Sequence, residues 1–279
     1  MLEPDEIGRR RDLADALKDL RRTSGLTGDR LAARCGISQG KISKIENAKV
    51  LPSLADLERL LDALRATADV RDEIYALARL ANTEYESLRT ELRRGLQHKQ
   101  RELAAFEATA DHIRFFLPSM ITGLLQTPRY ARASLAMFPG DHAEALARRL
   151  VRQKILDDPS KRFSFLFTEQ ALRWPLCEPS TMADQISRIM ALLDLPHITM
   201  GVVPLGAHVL PDGPMNTFTV YDDRLATAET FSGVLMMRDP RDVSYHLEVF
   251  GMFQRHAALG PDMRGLLEEI RRELISGRE

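Results

Sequence analysis

Cysteine is scarce in this chain. Cys35 and Cys177 lie 142 positions apart and form neither a C-x-x-C pair nor a disulfide framework, which excludes a cysteine-held structural zinc and points to a reducing, cytoplasmic compartment. A dominant charge sign is lacking too. The 39 Lys and Arg offset 40 Asp and Glu, so the total alone argues for no nucleic acid, membrane or acidic substrate. Long apolar runs are also missing. Nothing approaches the ~18 consecutive apolar residues of a spanning helix, and the most apolar stretch, residues 198–210, is broken by Gly201, Pro204 and Gly206. The amino-terminal residues carry charge without the apolar core of a secretory signal, so neither export nor membrane insertion is expected. H-E-x-x-H, G-x-S-x-G, P-loop and G-x-G-x-x-G motifs are absent, which leaves metal, hydrolase and nucleotide readings unsupported. His197 and His208 have no metal-ligand spacing. No cofactor, metal or catalytic residue is therefore expected, and the chain does not read as an enzyme.

What is present is a folded composition of 44% hydrophobic and 28% charged residues over 279 positions, enough for one large or two ordinary domains. The charge is unevenly spread. Residues 9–50 carry eleven basic against five acidic groups, a net of +6, whereas residues 67–279 carry 26 against 29, a net of -3. Apolar residues recur at helical spacing from Ile7 to about Leu156, with residues 75–116 reading as long charged helix. Beyond Arg162, short β-type runs at 163–167, 198–203, 216–221 and 227–231 alternate with helices at 180–193, 239–258 and 261–275. The fold class expected is mainly α with a carboxy-terminal α+β domain. It comprises a five-helix repressor-like helix-turn-helix domain over 1–68, a helical linker over 69–112, and a sensor and dimerisation domain over 113–279 in which a small antiparallel sheet packs with helices.

Residues 26–64 carry the strongest motif. Thr27 caps a short helix that Cys35 and Gly36 end, Gly36 suiting a left-handed turn. Ile37 plugs the core, and Ser38 caps a second helix with Ile42 and Ile45 inward. Its outward residues Gln39, Gly40, Ser43 and Lys44, flanked by Lys41, are hydrogen-bonding and cationic groups on a helix slim enough for the ~12 Å major groove. This segment resembles the Xre family of DNA-binding domains, through L-T-x-x-x-L-A at 26–32, G-I-S at 36–38, I-S-K-I-E-N at 42–47 and P-S-L at 52–54. The resemblance implies base-reading roles for Gln39, Ser43 and Lys44. It implies phosphate contacts for Asn47, Lys49 and the helix start at Thr27 and Gly28, and an ion pair between Glu46 and Arg21. Gly28 and Gly40 stand where relatives often carry polar side chains, so affinity is expected to lean on cations.

The second half resembles the antitoxin-like sensor domain of actinobacterial regulators, the WhiJ-like, Scr-type proteins. The matching blocks are I-T-G-L-L-Q-T-P-R-Y-A-R-A-S-L at 121–135, R-x-x-R-Q-x-x-L at 149–156, E-x-A-L-R-x-P at 169–175, and the strand, G-A-H loop and following strand at 198–218. The resemblance implies a transcription regulator that binds double-stranded operator DNA as a homodimer and is modulated by a small, acidic partner protein encoded nearby. An alternative is a domain that binds a small-molecule effector. Partner or ligand contact is assigned to Gly123, Leu124, Leu125, Gln126, Tyr130 and His208, although Leu124 and Leu125 also read as core, Thr127 as a helix cap and Gln126 as a group satisfying a loop amide.

Overall fold

The computed structural model describes residues 4–209, 211 and 213–276. The chain forms two compact units, one running to Glu84 with the short segment Met237–Arg241 added, the other taking Tyr85–Met236 and the remainder from Asp242. In the first unit, α1 (Pro4–Thr23), α2 (Gly28–Cys35), α3 (Gln39–Glu46), α4 (Leu54–Ala63) and α5 (Ala68–Ala81) enclose one core. Leu13 and Leu17 of α1, Leu31 of α2, Ile42 and Ile45 of α3, Leu57 and Leu61 of α4, and Ile74 and Ala78 of α5 all belong to it. The expected linker therefore starts too early: residues 68–81 are the fifth helix, held against α1 by an apolar stripe at i, i+4 and i+7. The charged surface of α5 concealed that stripe. Residues 237–241 join the same unit through Arg238, whose Nη1 lies 2.8 Å from a Glu84 oxygen, and through Arg241 stacked 5.0 Å over the Tyr75 ring.

The chain continues through β1 (Thr83–Ser87), α6 (Leu88–Arg94), α7 (Leu96–Thr109), β2 (His112–Leu117), α8 (Pro128–Leu135) and α9 (Ala143–Arg152). A 3-10 turn at Gln153–Asp157 leads to β3 (Arg162–Thr168), α10 (Glu169–Arg173), α11 (Pro179–Leu192), β4 (Ile198–Val203), β5 (Phe218–Tyr221) and β6 (Leu225–Thr230). The remaining elements are β7 (Gly233–Met237), α12 (Pro240–Gln254), β8 (Ala258–Leu259) and α13 (Gly260–Ser276). The strands form one sheet of eight in the order β1-β7-β6-β5-β2-β3-β4-β8. The α+β class holds, but the sheet is larger than expected and mixed. At its centre β2 runs parallel to β3, with Phe115 opposite Phe165, and β3 runs parallel to β4.

Burial on both faces accounts for this. In β3 every residue from Phe163 to Thr168 is buried, as expected of a parallel strand covered by helices on either side rather than of a half-solvated antiparallel one. Phe163, Phe165 and Phe167 point to one face with Phe115, Ile186 of α11 and Leu267 of α13. The alternate residue Phe116 turns the other way, its ring 4.5 Å from Phe253 of α12 and 5.1 Å from Phe218. Within the stretch read as continuous charged helix, β1 and β2 interrupt the helical course, because His112–Leu117 supplies a strand core directly after the polar α7.

Phe116 is 1% exposed between two rings. Phe116→Ala is expected to destabilise the second unit by about 3–5 kcal/mol, through lost transfer energy and an unfilled cavity. Urea unfolding should show the lower midpoint at unchanged slope; a loss under about 1 kcal/mol would mean that the two faces do not depend on this ring.

Candidate nucleic-acid interface and cavity

The local chemistry of residues 27–47 sets the pose of α3. Thr27 Oγ1 accepts from Arg30 N at 3.3 Å to start α2, and Gly36, at φ 64°, ends it with its N–H on the Ala32 carbonyl. Two residues later Ser38 Oγ accepts from Lys41 N at 3.3 Å and starts α3. Ile42 and Ile45, each 2% exposed, anchor the inner side. Arg21, at the end of α1, clamps the far end: its Nε donates to Glu46 Oε1 at 2.6 Å and its Nη2 to Glu46 Oε2 at 2.8 Å, while Nη1 reaches the Leu26 carbonyl at 3.0 Å. This fork joins three segments, and the Glu46 bond raises the Arg21 pKa above its ordinary value.

Gln39, Gly40, Lys41 and Lys44 are exposed on α3, and Ser43 is half-buried. A Cβ placed on Gly28 would lie 3.7 Å from Gln39 Nε2, so the Gln39 amide lies beside the open face of Gly28. Asn47 is exposed but folds back, its Nδ2 donating to the Ser43 carbonyl at 2.6 Å. Lys41 is engaged as well. Its Nζ lies 2.7 Å from Asp56 Oδ2, and Arg59 Nη2 donates to Asp56 Oδ1 at 2.7 Å. Lys44 and Lys49 are exposed; neither forms an ion pair among the described residues.

Asp56 escaped the sequence reading, although Ser53-x-x-Asp56 is a capping-box spacing. Ser53 Oγ accepts from Asp56 N at 3.1 Å while Asp56 Oδ2 accepts from Ser53 N at 3.3 Å. Burial alone would raise this carboxyl, but the hydrogen bonds from Lys41 and Ser53 outweigh it and hold the pKa at about 2.

In the second unit the residues 121–127 form a buried loop whose polar backbone is met by side chains. Leu124 and Leu125 are 0% exposed, Gln126 2% and Tyr130 1%. Gln126 Nε2 donates to the Ile121 carbonyl at 2.7 Å. Gln153 Nε2 donates to the carbonyls of Gly123 and Gln126 at 2.8 and 2.7 Å. Gln185, a residue no sequence motif marked, donates to the Leu125 carbonyl at 2.8 Å and accepts from Thr127 N at 2.7 Å. Arg149 Nη1 closes the knot on Gln126 Oε1 at 2.6 Å and Ser134 Oγ at 2.8 Å. The blocks at 121–135 and 149–156 are thus one assembly. Leu124, Leu125 and Tyr130 sit in the core, out of reach of a docking protein in this conformation. His208 is exposed on the loop after β4, away from this knot's bonding partners.

Gly123 and Gln126 border a cavity of about 340 Å³ lined also by Arg149, Arg152, Gln100, Lys99 and Glu229. A Cβ on Gly123 would come within 2.8 Å of Arg152 Nη2, so glycine is what lets the two arginines close on this loop. Arg152 Nε stands 3.4 Å from Glu107 Oε2. Burial pushes the Glu107 carboxyl up to about 7, against the pull of Arg152, and brings Arg149 down to about 10, assisted by the Arg152 charge. Glu229, open to the cavity, is raised by the same desolvation.

His197, Asp222 and His112 make local structural contacts. His197 Nε2 bonds the Leu156 carbonyl at 2.8 Å. Asp222, at φ 53°, accepts from the backbone of Asp111 and His112. His112 Nε2 meets Ser164 Oγ at 2.9 Å, its pKa lowered to about 4 by burial and then by Arg114 and Arg162. Among the described residues no group of three or more His, Cys, Asp or Glu could hold a metal ion, and no helix is long and apolar enough to cross a membrane.

This geometry agrees with the families that match. Residues 100–269 match the family described as Domain of unknown function (DUF5753). The chain belongs to the DUF5753 family. Residues 12–74 match the family described as Helix-turn-helix domain, which supports a DNA-binding regulator. The DUF5753 match runs from within α7 through β2 to β8 and into α13, and takes in the whole loop and arginine assembly. No curated protein matches the chain. Among solved structures, NucT from Helicobacter pylori is similar with a TM-score of 0.39 and 9% identity, covering 64% of this chain and 98% of that one. The phospholipase D family member Nuc from Salmonella typhimurium gives 0.35 and 9%, covering 57% and 90%. TrmBL2, an archaeal chromatin protein, gives 0.35 and 11%, covering 73% and 66%. These likenesses are too low to carry a function across.

Two pH effects of opposite sign follow. Asp56 is depressed from an ordinary value near 3.9, so its contribution is present above about pH 4 and lost as pH falls through about 2. Asp56→Asn should therefore lower the melting temperature at pH 7 and shrink the difference from the parent chain near pH 2. Glu107 is raised from about 4.3, so its contribution is present below that value and lost as pH rises through about 7. Glu107→Gln should flatten the fall in melting temperature of the DUF5753 unit between pH 5 and 8. Parallel pH profiles for variant and parent would refute either assignment.

Proposed function

We propose that this chain is a sequence-specific transcription regulator that binds operator DNA as a homodimer, inserting α3 in the major groove. The observation that carries the reading is the pose of α3: two buried isoleucines and the Arg21–Glu46 fork fix its inner side while Gln39, Gly40 and Lys44 face outward. The basic excess over residues 9–50 supplies the sequence-independent attraction to phosphate. A dimer follows from the short reach of one helix, since half-sites about one helical turn apart require a two-fold reader. In this reading the chain is a cytoplasmic Xre-type protein without catalytic activity. Its DUF5753 unit is a sensor modulated by a small acidic protein encoded nearby, as the resemblance to antitoxin-like regulators implies.

In the same reading the roles divide by position on α2 and α3. Gln39, Ser43 and Lys44 read bases, and Lys49 and the start of α2 at Thr27 and Gly28 meet phosphates. Lys41 divides its charge between Asp56 and the groove, and Asn47 acts through its own backbone cap. The cavity favours a second reading of the sensor, in which a small molecule rather than a protein is the effector. Its volume of about 340 Å³ lies inside the range of ligand sites, about 300–1,000 Å³.

Lys44→Ala should weaken binding to cognate operator by about 1–3 kcal/mol while sparing random duplex. Lys49→Ala should weaken both alike and reduce the salt slope by about one. Fluorescence anisotropy over a salt series separates the two, and equal losses on both duplexes for Lys44→Ala would remove its base-reading role.

A further inference from the structure

The cavity is lined by groups of unequal satisfaction, and that inequality says what it lacks. Arg149 Nε, Arg152 Nε and Arg152 Nη1 are buried without a hydrogen-bond partner among the described residues, although the Arg152 Nε is at ion-pair distance, 3.4 Å, from Glu107. Arg152 is only 9% exposed. The two guanidinium groups project from one face of α9 at i and i+3 and converge beside Gly123, whose absent Cβ would stand 2.8 Å from Arg152 Nη2 and 3.3 Å from Arg149 Nε. Arg149 bonds only neutral groups, the Gln126 amide and the Ser134 hydroxyl. Glu107 lies beside Arg152, Glu91 is taken by Lys99 at 3.3 Å, and Glu229, shared electrostatically among Lys99, Arg149 and Arg152, makes no ion pair with either arginine among the described residues. A buried cation with spare donors is costly unless a charge or acceptor meets it.

The opposite wall differs. Leu96, Leu103, Phe115, Leu117 and Val234 present apolar surface to the same space. Gln100 Oε1, on a residue 5% exposed, is an acceptor without a donor, and Phe231 stands fully exposed at the β6–β7 turn on the cavity's margin.

We propose that this cavity binds an amphipathic organic carboxylate, with its anionic head on Arg149 and Arg152 beside Gly123 and its apolar body along α7 and the β2–β7 wall. A hydroxyl or amide donor on that body is accepted by Gln100 Oε1. The proposal rests on the small-molecule reading of the DUF5753 unit and is independent of DNA binding. Carboxylate chemistry is preferred to a larger polyanion because two guanidinium groups with a few free N–H donors match a single planar fork, and most of the lining is apolar.

Decanoate, decanol and decylamine share one apolar body and differ in the head, so they are suitable probes for calorimetric titration of the full chain. Decanoate is expected to bind at least tenfold more tightly than decanol, and decylamine more weakly than either. The paired substitution Glu107→Gln with Arg152→Gln avoids leaving one buried charge alone, and should erase the decanoate preference while retaining decanol binding. Val234→Trp, which fills the apolar side and leaves the charges in place, should reduce binding of all three. If decanol binds, Val234→Trp abolishes that binding and decanoate is no tighter, the carboxylate assignment fails while the small-molecule reading stands. If decanoate binds but neither set of substitutions changes it, the site assignment is wrong. If none of the three binds, the proposal and the small-molecule reading fall together.

Discussion

Two arginines, Arg152 buried and Arg149 half-buried, set the terms for the second unit. Arg149 and Arg152 stand three residues apart on α9, close enough that the Arg152 charge helps to lower the Arg149 pKa. Like charges in a poorly solvated place must be offset locally, and the surrounding fold does so in part, leaving Arg149 Nε, Arg152 Nε and Arg152 Nη1 without a hydrogen-bond partner among the described residues. Glu107 is brought by α7, Gln126 and Ser134 by the loop and by α8, and Gly123 lets the loop backbone approach. The same contacts fix residues 121–127, whose backbone would otherwise be buried without partners. Removing Arg149 would thus unmake more than one bond. It would leave Gln126 Oε1 without its cation and loosen the junction of β2, α8 and α9.

The first unit solves a different problem with similar chemistry. A helix of eight residues, Gln39–Glu46, is too short to hold itself. Arg21 fixes its carboxyl end from α1, and Ser38 starts it. Lys41 ties its first turn to Asp56, which in turn caps α4 with Ser53. The orientation of α3 is therefore determined by ion pairs at both ends and by isoleucines between, so its outward side chains inherit a defined direction. Gly40, with open space around its missing Cβ, contributes nothing to that frame and lowers the helix propensity.

Legibility followed the range of the signal. The helix-turn-helix was readable because its caps, turn glycine and apolar spacing lie within about twenty consecutive residues. The helices α11, α12 and α13 were readable from periodicity and from proline at their starts. Strand β3 was found, but its partners were not, since parallel pairing with β2 and β4 joins segments about 50 and 35 residues distant, and no local pattern records it. Strand β2 was concealed by the charged helix immediately before it. The site shows the same division. Arg21 and Glu46 were expected as a pair through a motif, whereas Gln185, Gln100 and Glu107 carry no motif and gain a role only when α7 and α11 are packed against the loop.

The two units use positive charge in opposed ways. Lys44 and Lys49 are exposed, so their desolvation is small, their attraction to a polyanion is long in range, and dissolved salt screens it. Arg149 and Arg152 are sequestered, so salt reaches them little, and their interaction depends on a partner entering the cavity with matching geometry. If α3 binds a polyanion and the cavity binds an anion, as proposed, raising the ionic strength should weaken the first steeply and change the second far less. A chain with almost no net charge can carry both kinds of cation, because burial rather than total charge decides how far each is exposed to solvent and salt.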